Sequence, residues 1–254
     1  MERRKYRKPP IEEAVCDLQF APGTEWDPTM PGRIYEKLKF TYNEKPRQQQ
    51  MVEAQLQGPS AEGSPSVSLQ HRFGKTRVQL LAEGGTRIVG VGADQLSVHM
   101  LRPYTEWEDF HPRIRQALCA YREVAEPEGI SRVGLRYINR ISLEGASPDL
   151  AKYFTIPPRF PEVEPSTRML AFFNRKEAEF LDKPIRIVLT FADMEPRSHD
   201  NSAYLLDIDI IWITTDSLIA LDEIETVLED MKVRHRQVFE SLITDESRRL
   251  FDAD

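Results

Sequence analysis

The sequence predicts an α+β fold, antiparallel sheet carrying two long amphipathic helices, and three observations predict it. Short stretches of alternating apolar and polar residues recur along both halves of the chain, several joined by connections of hairpin size. Two longer stretches switch to helical spacing, one ending near Ala125 and the other near Leu242. Hydrophobic residues make up 40% of the 254 positions and charged residues 30%, enough apolar mass for one large core or two small ones sharing it.

The elements follow in order. Arg3, Arg4, Lys5, Arg7 and Lys8 read as a solvated basic tail, with a phosphate-contacting arm as the alternative. Pro9 and Pro10 stiffen the entry to a strand over 11–20, and Pro22-Gly23 ends it. Ile34, Tyr35 and Leu38 give a short helix from about Pro31, proline being suited to a first turn. Residues 48–57 alternate as a strand with one wet face, and 58–65 form a loop of Gly, Ser and Pro. Residues 67–73, 76–83, 87–92 and 96–101 read as a four-stranded meander turning at Gly74-Lys75, Gly84-Gly85 and Ala93-Asp94. Thr105-Glu106-Trp107-Glu108 reads as a capping box opening a helix whose face is Trp107, Phe110, Ile114, Leu118, Tyr121 and Ala125. Pro112 should kink that helix or mark its true start.

Residues 132–143 are a strongly patterned strand. Val133, Leu135, Tyr137, Asn139, Ile141 and Leu143 share one face, and Arg132, Gly134, Arg136, Ile138 and Arg140 the other. The proline-rich stretch 156–165 divides the chain, followed by strands over 168–174, 185–191 and 203–213. A helix from about Asp216 to Leu242 closes the sequence, with the stripe Ile224, Val227, Leu228, Met231, His235, Val238, Phe239 and Leu242. Both halves thus run from strands into a long helix, the pattern of a degenerate repeat: 1–146, a connection over 147–165, and 166–254, within one compact unit.

Composition narrows the function classes. A net charge of −7 argues against a protein that coats nucleic acid, while leaving room for a local basic patch. Cys16 and Cys119 sit in apolar patterns and read as buried free thiols of a reducing compartment. No apolar run approaches the roughly 18 residues of a membrane helix, and Met1 to Lys8 lacks the apolar region of a signal peptide. The expectation is a cytoplasmic protein with no membrane partner and no cofactor.

Several constellations carry chemistry. Gly74-Lys75-Thr76 is half of a phosphate-binding loop, but Leu69 stands where the first glycine belongs, so a turn accounts for it. Asp207 and Asp209, two apart on a strand, project from one face, as do carboxylate pairs that hold divalent metal for phosphoryl or nucleotidyl transfer, with Asp193 as a third candidate. The bland reading pairs them with Arg136 and Arg140 of a neighbouring strand. Arg132, Arg136 and Arg140 form a basic row that suits either internal carboxylates or the anions of a partner, with Arg132 the member expected to face outward. The histidines lack zinc spacing; His71 and His99 could meet across the meander, and His235 reads as buried with one nitrogen satisfied. The sequence holds no Gly-x-Ser-x-Gly motif.

Pro9 to Phe20 (PPIEEAVCDLQF), Arg132 to Arg140 (RVGLRYINR) and the His235, Phe239-Glu240, Ile243-Thr244 stretch resemble a sporadically distributed family of uncharacterised prokaryotic proteins of about this length. The resemblance spans nearly the whole chain. Its patchy distribution, like that of mobile-element and antiviral-defence genes, implies a non-enzymatic protein-binding or regulatory subunit of a bacterial stress or defence operon. The residues leave two rivals: the metal-dependent enzyme centred on Asp207 and Asp209, and a small-ligand binder with a pocket between a curved sheet and a long helix.

Overall fold

The computed structural model describes residues 4–21, 26–57, 68–159, 169–197, 201–214 and 217–252, with backbone alone at 49–57 and 68–76. Nine antiparallel strands form one sheet: β1 (Ile11–Phe20), β2 (Arg47–Gln57), β3 (Ser68–Ala82), β4 (Arg87–Val91), β5 (Gln95–Leu101), β6 (Ile130–Glu144), β7 (Phe173–Phe180), β8 (Ile185–Met194) and β9 (Asn201–Ile213). Their spatial order is β2-β3-β4-β5-β1-β6-β9-β8-β7. The helices are α1 (Met30–Leu38), α2 (Trp107–Ala125), α3 (Ile224–Leu242) and α4 (Asp245–Asp252). The α+β expectation holds.

With the division drawn before β6 rather than over 147–165, the two halves follow the same order of connections. In each, a central strand (β1 or β6) leaves the middle of the sheet, and a crossover leads to the outer strands. An antiparallel run then returns to pair beside the starting strand, and a 19-residue helix follows, α2 or α3. Because β6 pairs with both β1 and β9, the halves are joined as one sheet.

Alternation assigns the faces. Ala14, Cys16, Leu18 and Phe20 of β1, the odd positions 133 to 143 of β6, and Leu206, Ile208 and Ile210 of β9 share one core with the apolar stripes of α1, α2 and α3. The opposite face carries Glu13, Asp17, His99, Arg132, Arg136, Asp207 and Asp209, since side chains alternate along paired strands. Among the described residues no helix is long and apolar enough to cross a membrane.

The structure corrects several expectations. The first two strands of the predicted meander are one strand, β3, running straight through Gly74 and Lys75. The ladder to β2 is irregular there, so that the pair faces Met51 alone and is absorbed without a turn. The Gly84-Gly85 turn is present, both glycines having positive φ (69° and 77°) that a side chain would strain. Thr105 does not cap α2; its hydroxyl donates to Asp109 at 2.8 Å and the helix begins at Trp107, continuing through Pro112. The first strand after the proline-rich stretch lies at 173–180 rather than 168–174, and α3 begins at Ile224, preceded by a segment in which Ile219 bridges Ile130. Cys16 is buried as expected, whereas Cys119 is exposed on α2.

The described part of the basic tail, from Arg4 onward, is docked. Arg4 pairs with Asp252 and Lys5 with Glu106. Tyr6 donates to Glu240 at 2.7 Å and sets its ring edge-on to Phe251, and Lys8 N–H bonds the Phe251 carbonyl. The segment from Arg4 to Lys8 is therefore tied to α3, α4 and the residue preceding α2.

Candidate functional site

Two places gather the polar groups that chemistry would use. The first is the centre of the face opposite the shared core, where β1, β6 and β9 carry the arginine row and the aspartate pair. Arg136 grips Asp207 with two hydrogen bonds, Nε at 2.8 Å and Nη2 at 2.6 Å, although Asp209 is its direct cross-strand partner. Asp207 is 7% exposed, so its charge is supported by that fork and raises Arg136's hold on its proton in return. Arg132 was expected to face outward. Its guanidinium instead lies back over Gly134, where an added Cβ would stand 3.2 Å from Nη1, and reaches Asp17 at 2.9 Å. Glycine at 134 leaves the room for that path. Arg140 donates to the Glu195 carbonyl. Each guanidinium of the row thus meets an acceptor of its own chain.

Asp209 is the least supported carboxylate of this group, with Arg132 at 4.0 Å; burial, partly offset by Arg132 and Arg136, raises its pKa. Both oxygens of Asp207 are taken by Arg136, and Asp193 lies apart, accepting from Phe172 N–H at 2.5 Å. Among the described residues no three His, Cys, Asp or Glu side chains are grouped to hold a metal ion. The face reads as a cross-strand ion network, and His99 extends it by bonding Glu13 at 2.7 Å and Ser97 at 3.0 Å. The His71 side chain, its suggested partner, lies outside the described residues, and β4 separates the two strands.

The second place is on the helix side. A cavity of about 180 Å³ opens between the N-terminal segment, the start of α2, α3 and the core face of β6. Tyr6, Tyr104, Trp107, Tyr137 and Phe239 give it aromatic walls, and His235 and Asn139 line it from the α3 and β6 sides. Asn139 is 1% exposed and spends its amide N–H groups on the carbonyls of Tyr137 (3.3 Å) and Leu206 (2.9 Å), leaving its side-chain oxygen as an acceptor. His235 is 7% exposed, packed at 4.4 Å on Tyr137. Burial, opposed only by a hydrogen bond to the Ile208 backbone, lowers its pKa to about 3, so the ring is neutral.

Nε2 of His235 is itself buried. Around the rim, Trp107 Nε1 donates to Glu229 at 2.7 Å, and Lys232 lies 5.0 Å over the Trp107 ring. Arg4 lies 5.5 Å over Tyr6.

Sequence reasoning identified His235 as a buried histidine, and it is 7% exposed. It missed Tyr6, Tyr104 and Asn139 as its companions. The available signal was Asn139, a polar residue on the apolar face of a strand, which asks for a buried partner. Tyr6 and Tyr104 gave none, because they reach the cavity through irregular segments that no periodicity describes. The chain matches no family model, no curated protein and no solved structure.

Proposed function

We propose that this protein is a non-enzymatic binding module that holds a small ligand in the cavity between its sheet and α3. The observation that carries the reading is the aromatic-walled cavity of about 180 Å³ itself, with Asn139 and His235 in its lining. The reading is non-enzymatic because a buried ring neutral down to about pH 3 is poorly matched to proton transfer near neutrality. Soaking or titrating a fragment library against the full chain tests it. Fragments should raise the melting temperature in proportion to ln(1 + [L]/Kd) and be displaced by one another. A library that leaves the melting temperature unchanged would sink it.

A protein partner is the second reading, favoured by one observation. β7 ends the described sheet, and Leu170, Phe173 and Leu181 around it are strongly exposed, Leu181 at 96%. An open strand edge flanked by apolar side chains suits strand addition by a partner segment, consistent with the regulatory subunit that the family resemblance implies. Phe173→Asp should weaken a reconstituted complex more than tenfold; equal affinity would remove this edge from consideration.

A further inference from the structure

The partner at the β7 edge can be specified further, resting on the strand-addition reading above. We propose that the strand added there is β7 of a second copy of this chain, so that two molecules join antiparallel across a two-fold axis into one continuous sheet.

The main chain decides what the edge can accept. Asp193 N–H donates to the Phe172 carbonyl at 3.2 Å, and Phe172 N–H donates to the Asp193 carboxylate, so Phe172 turns both its groups towards β8. Along an antiparallel strand that direction alternates. Asn174, Lys176, Ala178 and Phe180 therefore bond towards β8, while Phe173, Arg175, Glu177 and Glu179 turn their N–H and carbonyl groups outward. Among the described strands β7 pairs with β8 alone, and no proline interrupts it, so the outward row can take a strand.

Symmetry then limits the register. A two-fold axis normal to the sheet keeps every side chain on its own face, so it must pass where a residue meets its own copy. Centred on Glu177, it sets Arg175 of each copy opposite Glu179 of the other and brings Phe173 against Leu181. Phe173 and Leu181 are 69% and 96% exposed in the single chain, and this contact covers both. The like pair at the centre, Glu177 with its copy, is answered within each chain by Arg175 at 2.8 Å and Arg186 at 4.0 Å. Centred on Lys176 instead, two lysines meet beside Asn174, Ala178 and Leu189, none of which carries a negative charge. Centred on Ala178, Glu177 meets Glu179 twice, and centred on Arg175 no opposite charges meet. The charges that would repel an unrelated strand thus match one another across the axis at Glu177.

Sedimentation velocity of the full chain, from micromolar to near-millimolar concentration, tests the proposal with two charge-reversal variants. The unaltered chain should dimerise. Arg175→Glu and Glu179→Arg should each weaken dimerisation about tenfold or more, because each sets like charges opposite one another twice. Mixed in equal amounts, the two variants restore both opposite-charge pairs and should dimerise about as tightly as the unaltered chain. A folding defect in either variant would give no such recovery. Dimers from each variant alone, or no recovery on mixing, overturn the proposal. A synthetic peptide of residues 172–182 separates it from the reading on which it rests. If the unaltered chain stays monomeric but binds the peptide, the edge accepts a strand and the second copy is overturned. If it stays monomeric and leaves the peptide free, the edge reading fails as well.

Discussion

Arg136 passes over its direct neighbour Asp209 to grip Asp207 on the diagonal, and that choice shapes the residue-scale expectations. Arg136→Ala leaves a buried carboxylate without its fork; because the arginine is itself 46% exposed, the loss should be about 1–2 kcal/mol. A urea-denaturation cycle with Asp207→Ala should show coupling near 1 kcal/mol, and additive effects would mean that the pair contributes nothing. The meeting of Arg136 with the aspartate pair was legible in the sequence, because period-2 alternation puts the arginine row and both aspartates on one face, whereas Arg140, expected to join them, bonds the Glu195 carbonyl. Which aspartate would be chosen was not, since a long side chain reaches either. His235 gives the second expectation. Its folded pKa lies below its unfolded one, so its contribution to stability is complete above about pH 6.5 and is lost as pH falls toward 3, at up to about 1.4 kcal/mol per pH unit. Asp209, whose pKa is raised, acts in the opposite sense, its contribution being lost as pH rises above the usual carboxylate range. The stability difference between the unaltered protein and His235→Phe should therefore be flat above pH 6.5 and change steadily below it; a flat difference throughout would show the ring to be solvated.

At the scale of elements, α3 is the helix whose two sides can be compared directly. Phe239 lies on its buried stripe against Tyr6 and Phe251, and Phe239→Ala should cost about 3–5 kcal/mol. By sequence alone Glu229 looks like a solvent residue whose loss would go unnoticed. In the fold its carboxylate holds the Trp107 indole N–H, and although burial opposes the charge, that bond and Lys232 lower its pKa. Glu229→Ala should therefore cost about 1 kcal/mol, and chemical denaturation of the two variants checks both figures. Elements with a clean period were legible, such as β1, β6, β9 and α3. β7 was misplaced because its 173–180 segment, FNRKEAEF, is exposed on both faces and has no apolar alternation to read. The unbroken β3 was misread because a Gly-Lys pair in a strand looks the same in sequence whether it turns or bulges. α4 was overlooked for its brevity, though it supplies Phe251 to the core.

For the whole molecule, the question is whether two halves with the same order of connections behave as two units or one. Local pattern argues for two, since each half has its own long helix and its own antiparallel run. Pairing argues for one, because β6 is hydrogen-bonded along its length to β1 on one side and β9 on the other. The start of the first half then seals onto the end of the second, with Tyr6 between Phe239 and Phe251 and Lys8 bonded to the Phe251 carbonyl. Separating the halves would strip a central strand of its partner and open the shared core, so partial unfolding should be rare. The tryptophans report from both parts: Trp26 stacks on Tyr121 of α2, and Trp212 lies on β9. Urea unfolding followed by tryptophan fluorescence and by far-ultraviolet circular dichroism should give coincident curves with one midpoint. Deleting residues 1–8 should lower that midpoint, since it removes Tyr6 and the Arg4 and Lys5 ion pairs, yet keep the two curves coincident. A second transition appearing in either protein would show the halves to be separate folding units.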